Sequence, residues 1–594
     1  MILPSRPRKP SRHRTGNGLL ALLALLTACK PIGGERADRA AAAVRDGAYD
    51  IVIANGRVID GTGNPWYMAD IGIRGDRIAT IVPAGMLKEA TTTTRIDATG
   101  RVVSPGFIDI QGQSAYPLTV GDGRVASKVS QGVTTEILGE GSTPAPVNTA
   151  MIRQLNGQLR SREDSAAARV FSSFTGVHGF GHWLETMERR GMSINVGSFL
   201  GAATVRVYAK GYAEGAASAA ELDTMRSVTT NAMRDGAFGV ASALIYPPGR
   251  YASTDELVEI ARAMSPLGGV YITHMRSEAD QYLEAIDEAI RIGRDGGVPV
   301  EIYHLKAGGV RNWPKATLAV AKIDSARRAG QDVAADMYPY TAGGTSLSAC
   351  TPPWATEGDR LLERLRDAPT RAKIVAEMQA ATSTWENLCA LATPGGIMTA
   401  GFETPAMKKY EGKRLSEIAV DMNRDWANTI VELLLATNGR VGMLVFMMSE
   451  PNVEMQLRQP WMKIGTDADG SDPDSAVSLT HPRAYGTYPR ILGYYVRERG
   501  VITLEEAIRK MTSAVAARLS IHDRGVLREG LAADVVVFDP ATVIDKATYT
   551  QPHQHSVGIE TVIVNGVRVW QGGKHTGAKP GRALRGPAYS GAAR

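Results

Sequence analysis

"GGVYITHM" (Gly268–Met275) and "VPVEIYHL" (Val298–Leu305) are short apolar runs that each place a histidine at or near their end. A stretch with helical spacing of apolar residues lies between them. This order of strand, helix and strand is typical of βα units, which build parallel sheets. The two runs therefore indicate an α/β fold in which polar side chains follow buried strands.

Six further runs of the same kind occur along the chain. In order, the eight runs are "GFIDIQGQ", "VTTEILGE", "INVGSFLG", "FGVASALIY", "GGVYITHM", "VPVEIYHL", "DVAADMYPY" and "WMKIGTD". Eight βα units are what a closed barrel requires, and its catalytic groups lie at the C-terminal ends of the strands. We therefore predict a (β/α)8 TIM-like barrel over residues 105–519. Residues 341–460, between the last two runs, are too many for a βα loop and predict an inserted lid subdomain.

Both ends of the folded chain carry hairpin signals. Asn55-Gly56 and Gly75-Asp76 lie between alternating apolar runs near the start, and Asn565-Gly566 lies in a similar pattern near the end. Such turn pairs predict short antiparallel hairpins. We expect residues 49–104 and 520–585 to build one small β-sandwich domain around the barrel.

The first 48 residues have the pattern of a targeting segment. Residues 1–28 contain five basic residues, no acidic one and the apolar stretch "GLLALLALLTA", which is too short to span a bilayer. "LTAC" then resembles the lipobox of bacterial lipoproteins, which predicts lipidation of Cys29; the alternative is an ordinary secretory signal with an incidental cysteine. The small and polar residues 29–48 fit a flexible tether. We expect a periplasmic protein whose only membrane contact is this lipid anchor, in the outer rather than the inner membrane because Lys30 follows the cysteine.

The overall charge offers little support for a nucleic-acid partner. The formal net charge is +6, but the chain beyond residue 28 carries only +1 of it. No basic stretch as dense as the one at the start recurs downstream, so we expect no nucleic acid to bind. Cys350 and Cys389 are the two cysteines left after the targeting segment, and either a disulfide or two free buried thiols would suit them.

Side chains able to bind a metal follow several of the predicted strands. They are Gln111 and Gln113 after the first, Glu140 after the second, His274 and His304 after the fifth and sixth, and Asp467 after the eighth. Each alone has a simple alternative, such as a core histidine, a solvated acid or a turn aspartate. Their joint position at corresponding strand ends predicts one polar site at the barrel mouth.

The order of motifs resembles that of the amidohydrolase superfamily, and specifically its D-aminoacylase (N-acyl-D-amino-acid deacylase) branch. The resemblance covers nearly all of the chain after the targeting segment. It is carried by "YDIVIANGRVIDGTG", "PGFID", "GVTTEILGEG", "THMRSEAD", "YHLKAGG", "DMYPYTAGG", "HPRAYGTYPRILGYYVRERG" and "DRGVLREGLAADVVVFDP". It implies a metal-dependent barrel with a small β-sandwich built from both chain ends.

The resemblance also implies a ligand set, from which this chain departs at two places. His274, His304 and Asp467 match the family's fifth-, sixth- and eighth-strand positions. The family has His-x-His where this chain has Gln111-x-Gln113, and a cysteine where it has Glu140 or a neighbour. Glu140 with the two histidines would make a His₂Glu set, which suits zinc, although manganese or iron stays an alternative. Neutral amides are poor zinc ligands, so we expect one zinc ion per chain.

The implied activity is hydrolysis of the amide bond in N-acyl-D-amino acids or D-configured dipeptides. Asp467 would act as general acid and base, while Arg483, Lys306 and Tyr338 match substrate-binding positions. A family serine is replaced by Gly344. The two glutamines, as donors, are expected to contact the reacting water or the oxyanion. Two alternatives stay open: an inactive ligand-binding lipoprotein of this fold, and an amidohydrolase acting on another amide or a cyclic amide.

Two histidine pairs elsewhere are weaker candidates. "HQH" (His553–His555) is a complete His-x-His but lies beyond the eighth strand. "HGFGH" (His178–His182) has helical spacing but lacks the glutamate of the zincin motif and contains two glycines. We expect the second pair to lie in a structural loop and neither pair to hold a metal.

Overall fold

The computed structural model describes residues 47–157, 162–380, 385–472, 474, 476 and 478–591. The predicted signal segment 1–28, Cys29 and all but the end of the predicted tether lie outside these residues. Within the described ranges, no helix combines the length and apolar character needed to cross a membrane.

Strands alternate with helices through the middle of the chain and cluster without helices at both ends. The strands are β1 (Ala48–Val58), β2 (Tyr67–Arg74), β3 (Arg77–Pro83), β4 (Thr91–Asp97), β5 (Val102–Pro105), β6 (Phe107–Asp109), β7 (Val133–Leu138), β8 (Asn195–Ser198), β9 (Leu200–Gly201), β10 (Gly239–Ala243), β11 (Val270–His274), β12 (Val300–Ile302), β13 (Val333–Met337), β14 (Ala342–Ser346), β15 (Ile397–Ala400), β16 (Gly442–Phe446), β17 (Met462–Ile464), β18 (Val535–Phe538), β19 (Ile559–Val564), β20 (Val567–Gln571) and β21 (Lys574–His575).

The helices fill most of the connections between the central strands. The α-helices are Ala115–Thr119, Ala126–Val129, Thr149–Gly157, Arg162–Phe171, Gly179–Arg190, Ala202–Lys210, Ala219–Arg234, Thr254–Met264, Tyr282–Gly296, Lys315–Arg328, Pro353–Thr356, Leu361–Arg366, Ala368–Met378, Leu388–Ala392, Leu415–Asp421, Trp426–Ala436, Glu450–Leu457, Arg483–Arg490, Leu504–Met511 and Ser513–Arg518, and a π-helix spans Ile491–Glu498.

The central strands form a parallel sheet of the TIM-barrel type. β6, β7 and β8 pair in one run, and β9 to β13 followed by β17 pair in another. Only Phe199 separates β8 from β9, and a parallel bridge between Gly112 and Ala468 joins the first strand to the last. Each of the eight predicted runs thus contains a strand, and the strand ends meet around one mouth.

Buried charges tie the first, second and eighth barrel strands together below the mouth. The Nζ atom of Lys128 lies 2.7 Å from Asp109 Oδ2 and 3.2 Å from Glu136 Oε1, and all three side chains are fully buried. Lys128 also donates to Thr466 Oγ1, which lies next to Asp467 in the chain. Because each charge has a partner, the cluster is a fixed support for the strand ends above it.

The two chain ends share one nine-stranded sheet, in which β5 pairs with β18. The predicted turns at Gly75-Asp76 and Asn565-Gly566 are the tips of the β2–β3 and β19–β20 hairpins, so these two predictions are confirmed. Whether this sheet forms a two-layered sandwich stays a prediction.

The prediction of a hairpin tip at Asn55-Gly56 is wrong. β1 runs through this pair with a register shift between Ile53 and Gly56, because Asn55 has a left-handed φ of 60° and its N–H donates to Asp70 Oδ1. The pair is therefore a bulge inside one long strand. The sheet is also mixed and not purely antiparallel, since β1 pairs in parallel with β4 and β5.

The segment between β13 and β17 forms the inserted layer. Its strands β14, β16 and β15 make a three-stranded antiparallel sheet. A hydrophobic cluster of its own packs around this sheet and includes Leu347, Ile397 and Leu434. Of the two alternatives for the cysteines, the structure contains the disulfide Cys350–Cys389, which lies in this layer.

Candidate metal and substrate site

A cavity of about 580 Å³ opens at the C-terminal ends of the barrel strands. Most of its polar residues come from the barrel, and they include every strand-end candidate except the buried Gln111. Its apolar wall comes mainly from the inserted layer and contains Leu388, Met443, Leu444 and Met447. The insertion therefore covers the mouth at which the barrel places its polar groups.

Glu140, His274 and His304 meet at the floor of this cavity. Glu140 Oε1 lies 3.1 Å from His274 Nδ1 and 3.2 Å from His304 Nε2. Glu140 follows β7 between Gly139 and Gly141; a Cβ on Gly139 would lie 2.4 Å from a backbone oxygen, so the glycine allows this close turn. The sequence had placed all three residues at strand ends, and the fold brings their ligand atoms within one small space.

The donor set fits a zinc ion. Within the described ranges, these are the residues whose nitrogen and oxygen ligand atoms group closely enough to hold a metal, with all three atoms within 4.8 Å of one another. Ligand atoms about 2.0–2.1 Å from a tetrahedral zinc lie about 3.3 Å apart, close to the two measured separations. Two imidazoles and one carboxylate, with a fourth position open, are a common set for catalytic zinc.

Charge also favours a cation at this point. Burial by itself raises the pKa of Glu140, but His304 and the hydrogen bonds from both imidazoles hold it well below its usual range. Burial and Lys306 lower the pKa of His304, yet Glu278 and Glu140 together raise it to about 10. A metal would replace the proton on His304 as the positive partner of these carboxylates.

Glu278 contacts the imidazole of His304 on the side away from Glu140, and sequence reasoning missed it. Its Oε1 lies 2.9 Å from His304 Nδ1 and 2.5 Å from Lys306 Nζ, and the side chain is buried. A carboxylate on the far ring nitrogen fixes the orientation of a metal-binding histidine. The signal in the sequence was the position of Glu278, four residues after His274 in the segment that follows the same strand end.

The two glutamines donate to Glu140, and contact with the reacting water or the oxyanion stays a prediction. Gln111 Nε2 lies 2.6 Å and Gln113 Nε2 2.7 Å from Glu140 Oε2. Gln113 Nε2 also lies 3.2 Å from Asp467 Oδ1. The carboxylate that faces the imidazoles with one oxygen therefore faces two amides with the other.

Asp467 and Arg483 form an ion pair next to this group in the same cavity. Arg483 Nη1 lies 2.7 Å from Asp467 Oδ2, and the guanidinium lies over the ring of Tyr338, 4.6 Å from its centroid. Burial raises the pKa of Asp467 above its usual value, although Arg483 acts in the opposite direction. Asp467 has a left-handed φ of 49°, which turns it into the mouth after β17.

The remaining predicted substrate residues line the same cavity. Lys306 and Tyr338 both do so, but the Lys306 ammonium is bonded to Glu278 and to His304, which ties it to the metal-binding residues. Gly344 lies beside Arg483, where an added Cβ would be 3.7 Å from Nη2. His481 was not among the sequence candidates; burial holds its pKa well below the usual range, so it contributes no positive charge.

The other histidine pairs hold no part of this site. His553 bonds Tyr485 and the Ser478 carbonyl in the C-terminal region. The expectation that His178–His182 forms a loop is wrong, because a helix begins at Gly179. Phe180, Trp183, Leu184 and Met187 bury one face of that helix, and this packing overrides the low helix propensity of its two glycines.

Comparison with known proteins places this geometry in a family. A model of the amidohydrolase family matches residues 458–570. D-aminoacylase from Alcaligenes xylosoxydans xylosoxydans is 35% identical over 538 residues, covering 90% of this chain and 97% of the relative. The chain belongs to the D-aminoacylase family of amidohydrolases. N-acyl-D-glutamate deacylase from the same organism is 34% identical over 90% of this chain and 96% of its own.

Solved structures agree with this family assignment. N-acyl-D-glutamate deacylase from Bordetella bronchiseptica, solved with zinc and a phosphonate mimic of the tetrahedral intermediate, has a TM-score of 0.73 and 32% identity over 91% of this chain and 100% of its own. A D-aminoacylase structure described as having a binuclear metal centre, with one-metal activation and second-metal attenuation, has a TM-score of 0.72 and 32% identity, covering 90% and 100%. The prediction of the D-aminoacylase branch is therefore confirmed, and with it membership in a group of amide hydrolases.

Proposed function

We propose that this D-aminoacylase family member hydrolyses the amide bond of N-acyl-D-amino acids, or of dipeptides with a D-configured residue, at a site that holds one zinc ion. The observation that carries the proposal is the convergence of Glu140, His274 and His304 beside the Asp467–Arg483 pair in one cavity. Metal-binding groups, a buried carboxylate and a guanidinium are the parts that hydrolysis of an acylated amino acid needs.

Three residues would bind the metal, and a fourth would orient one of these ligands. Glu140 Oε1, His274 Nδ1 and His304 Nε2 would bind it, and Glu278 would orient His304. When bound, the ion supplies Lewis acidity, which lowers the pKa of water and polarises a carbonyl. The amides of Gln111 and Gln113 are neutral, weak zinc ligands that already donate to a carboxylate, which supports a single ion.

Asp467 is the group proposed to move the proton. Its carboxylate lies at the cavity and Gln113 and Arg483 hold its two oxygens. Burial raises its pKa above the usual value, and a positioned carboxylate can accept a proton and return it. It would take the proton of the attacking water and pass it to the leaving nitrogen.

Arg483 is proposed to bind the substrate carboxylate. Its Nε atom is buried without a hydrogen-bond partner among the described residues, so the guanidinium has a donor to spare beyond the one used by Asp467. A planar guanidinium suits a carboxylate better than any other side chain. Tyr338, against the same guanidinium, and Lys306 would complete this end of the site.

One experiment separates this function from a non-catalytic ligand-binding role. Purified protein is analysed for metal content and assayed with N-acetyl-D- and N-acetyl-L-amino acids, with His304→Ala as the test variant and His522→Ala, a histidine outside the cavity, as the control. We expect one zinc per chain and D-selective release of acetate, both lost in His304→Ala only. A chain with no bound metal and no hydrolysis, or one that hydrolyses only cyclic amides, would contradict the proposal.

We also propose that the protein is a lipid-anchored periplasmic lipoprotein, in the outer rather than the inner membrane. The support is the basic, apolar and "LTAC" order of residues 1–29 in the sequence. Expression of the full chain with labelled palmitate should label the protein, and Cys29→Ala should remove the label and release the protein from the membrane fraction. Labelling that persists in Cys29→Ala would contradict the anchor.

A further inference from the structure

The first strand of the barrel ends in a segment held rigidly on both sides. Gly112 N–H donates to the Ile137 carbonyl of the second strand, and Gln113 N–H donates to the Ala468 carbonyl after the eighth. The Gln111 carbonyl accepts from Asp467 N–H at 2.8 Å. A Cβ on Gly112 would lie 2.0 Å from Glu136 Oε1, so a side chain there would have to push this segment away.

This backbone sends both glutamine side chains toward the same atom. Gln111 and Gln113 are two residues apart, and side chains two residues apart along an extended chain point to the same side. Their Nε2 atoms lie 2.6 and 2.7 Å from Glu140 Oε2. An ionised carboxylate accepts hydrogen bonds and donates none, so each amide must present its NH₂ group there.

The two oxygens of Glu140 are thereby given separate tasks. Oε2 accepts two short hydrogen bonds from amides, while Oε1 faces both imidazoles at 3.1 and 3.2 Å. Hydrogen bonds to a charged group are the stronger ones, and here they oppose rotation of the carboxylate. A free carboxylate could turn to bind a metal through both oxygens.

Gln113 also reaches the proposed proton carrier. The same Nε2 that bonds Glu140 lies 3.2 Å from Asp467 Oδ1. An amide NH₂ has two hydrogens and can satisfy both carboxylates at once. It therefore fixes the position of Asp467 relative to Glu140 without adding charge to the site.

We propose that Gln111 and Gln113 form an amide clamp: two positioning residues that hold Glu140 as a one-oxygen metal ligand and keep the centre mononuclear. The inference rests on the proposed metal site and goes beyond it, because it assigns the glutamines a role that does not require them to contact substrate. The clamp directs N–H groups at Glu140 Oε2, where a second cation would need electron-pair donors. A second ion and the two amide N–H groups therefore cannot occupy this place together.

The test measures metal binding directly. Gln111→Met and Gln113→Met keep side-chain length but remove the donors, and Gln456→Met, another buried glutamine far from the cavity, is the matched control. Zinc affinity is measured by chelator competition, and cobalt-substituted protein is compared by visible absorption. We expect affinity to fall about 10–100-fold in each clamp variant, with a changed cobalt spectrum, and neither change in the control.

A second variant tests the mononuclear part. Gln111→His/Gln113→His replaces the donors by imidazoles, and we expect it to bind two zinc ions per chain where the natural chain binds one. Because Gln113 is only partly buried, its variant remains informative if Gln111→Met proves unstable by circular dichroism. Unchanged affinity and cobalt spectrum in Gln113→Met would overturn the clamp.

The outcomes separate the clamp from the function on which it rests. No zinc bound by the natural chain would refute the proposed metal site. One zinc with normal affinity in the clamp variants would refute only the clamp, and two zinc ions in the natural chain would refute its mononuclear part.

Discussion

At the scale of single residues, the carboxylate proposed to bind metal and the one proposed to transfer the proton lie in different surroundings. Glu140 has two imidazoles and two amides around it; burial acts to raise its pKa, but the imidazoles of His304 and His274 hold it well below the usual range. Asp467 is buried with Arg483 as its cationic partner, and its pKa is raised. Neighbouring carboxylates with pKa values moved apart are typical of acid–base sites.

Replacing Asp467 by Asn tests the acid–base assignment. Asn keeps the shape but neither accepts the proton nor pairs with Arg483, so we expect kcat for N-acetyl-D-amino acids to fall about 100- to 10,000-fold while zinc content stays unchanged. Steady-state kinetics and metal analysis check this. Asp287→Asn, at an exposed position, is the control. A variant that keeps more than a tenth of the natural kcat would remove Asp467 from this role.

Replacing Arg483 by Lys tests carboxylate recognition. Lys retains charge but lacks the planar pair of donors, so we expect kcat/KM to fall about 10–100-fold for N-acetyl-D-amino acids. Substrates in which a primary amide replaces the carboxylate offer nothing for Arg483 to bind, so their kcat/KM should fall far less. Arg490→Lys, whose guanidinium pairs with Asp545 outside the cavity, is the matched control. Equal losses for acid and amide would contradict the assignment.

Residue types at strand ends could be predicted from the sequence, but their partners could not. Glu140, His274 and His304 were recognisable because each follows an apolar run. The bonds from Gln111 and Gln113 to Glu140 span 29 and 27 positions along the chain, and no local pattern indicates them. Amide orientation depends on the acceptor that folding supplies, and that acceptor belongs to another strand.

At the scale of elements, the barrel strands position the site and a buried charge cluster fixes three of them. Lys128, Asp109 and Glu136 join the first and second strands, and Thr466 adds the eighth. The end of the first strand carries the glutamines, and that of the eighth carries Asp467. The cluster therefore supports the strand ends that carry the proposed clamp and the proposed proton carrier.

Replacing Lys128 by Met tests this support. The change leaves two buried carboxylates without their cation, so we expect the free energy of unfolding to fall by about 3–5 kcal/mol. Urea titration measures it. Adding Asp109→Asn and Glu136→Gln should restore part of the loss, because no buried charge then lacks a partner. Lys88→Met, at an exposed position, is the control; a loss of similar size there would contradict the explanation.

Secondary structure could be predicted where the pattern of apolar side chains decides it. The predictions failed where a backbone or tertiary contact decides it. The apolar runs of the barrel all contain strands. Strands of a parallel sheet are buried on both faces, and their sequences are therefore continuously apolar. Asn55-Gly56 has the composition of a hairpin tip, yet Asp70 accepts its backbone N–H and β1 continues through it. The His178–His182 pair likewise joined a helix because of the surface on which that helix packs.

At the scale of the whole molecule, the inserted layer is attached to the barrel close to the site. Glu386 of the insertion accepts from Ser277 Oγ at 2.6 Å and from Glu278 N–H at 2.9 Å, on the barrel segment that follows His274. Its other oxygen, Oε1, is buried without a hydrogen-bond partner in the described part of the chain. Glu278 in turn contacts His304, so the inserted layer is bonded to the backbone of a residue beside the proposed metal site.

The Glu386 attachment predicts a pH dependence of stability. Burial, followed by the charge of Glu278, raises the pKa of Glu386 from 4.5 to about 7. The folded protein then binds more protons than the unfolded chain between these values, so stability falls as the pH rises through this window. We expect the free energy of unfolding of Glu386→Gln, relative to that of the natural chain, to rise by about 1–3 kcal/mol as the pH is raised from 4.5 to 8.

Urea titrations at pH 4.5 and pH 8 on both proteins check this dependence. The gain should be small at the lower pH, where Glu386 is protonated in the folded protein and half protonated in the unfolded chain. Glu89→Gln, at an exposed position in the turn between β3 and β4, is the control and should show no such window. A gain independent of pH would contradict the explanation.

The sequence by itself determined the order of the βα units, the strand ends that carry polar groups and the family to which they belong, because burial and local spacing are properties of neighbouring residues. The tertiary structure alone decided which carboxylate oxygen faces which donor, that Cys350 and Cys389 are joined, and that Glu278 and Glu386 connect the lid to the metal-binding histidines. These contacts join residues far apart in the chain, and their energies depend on distances and burial that exist only after the barrel has closed.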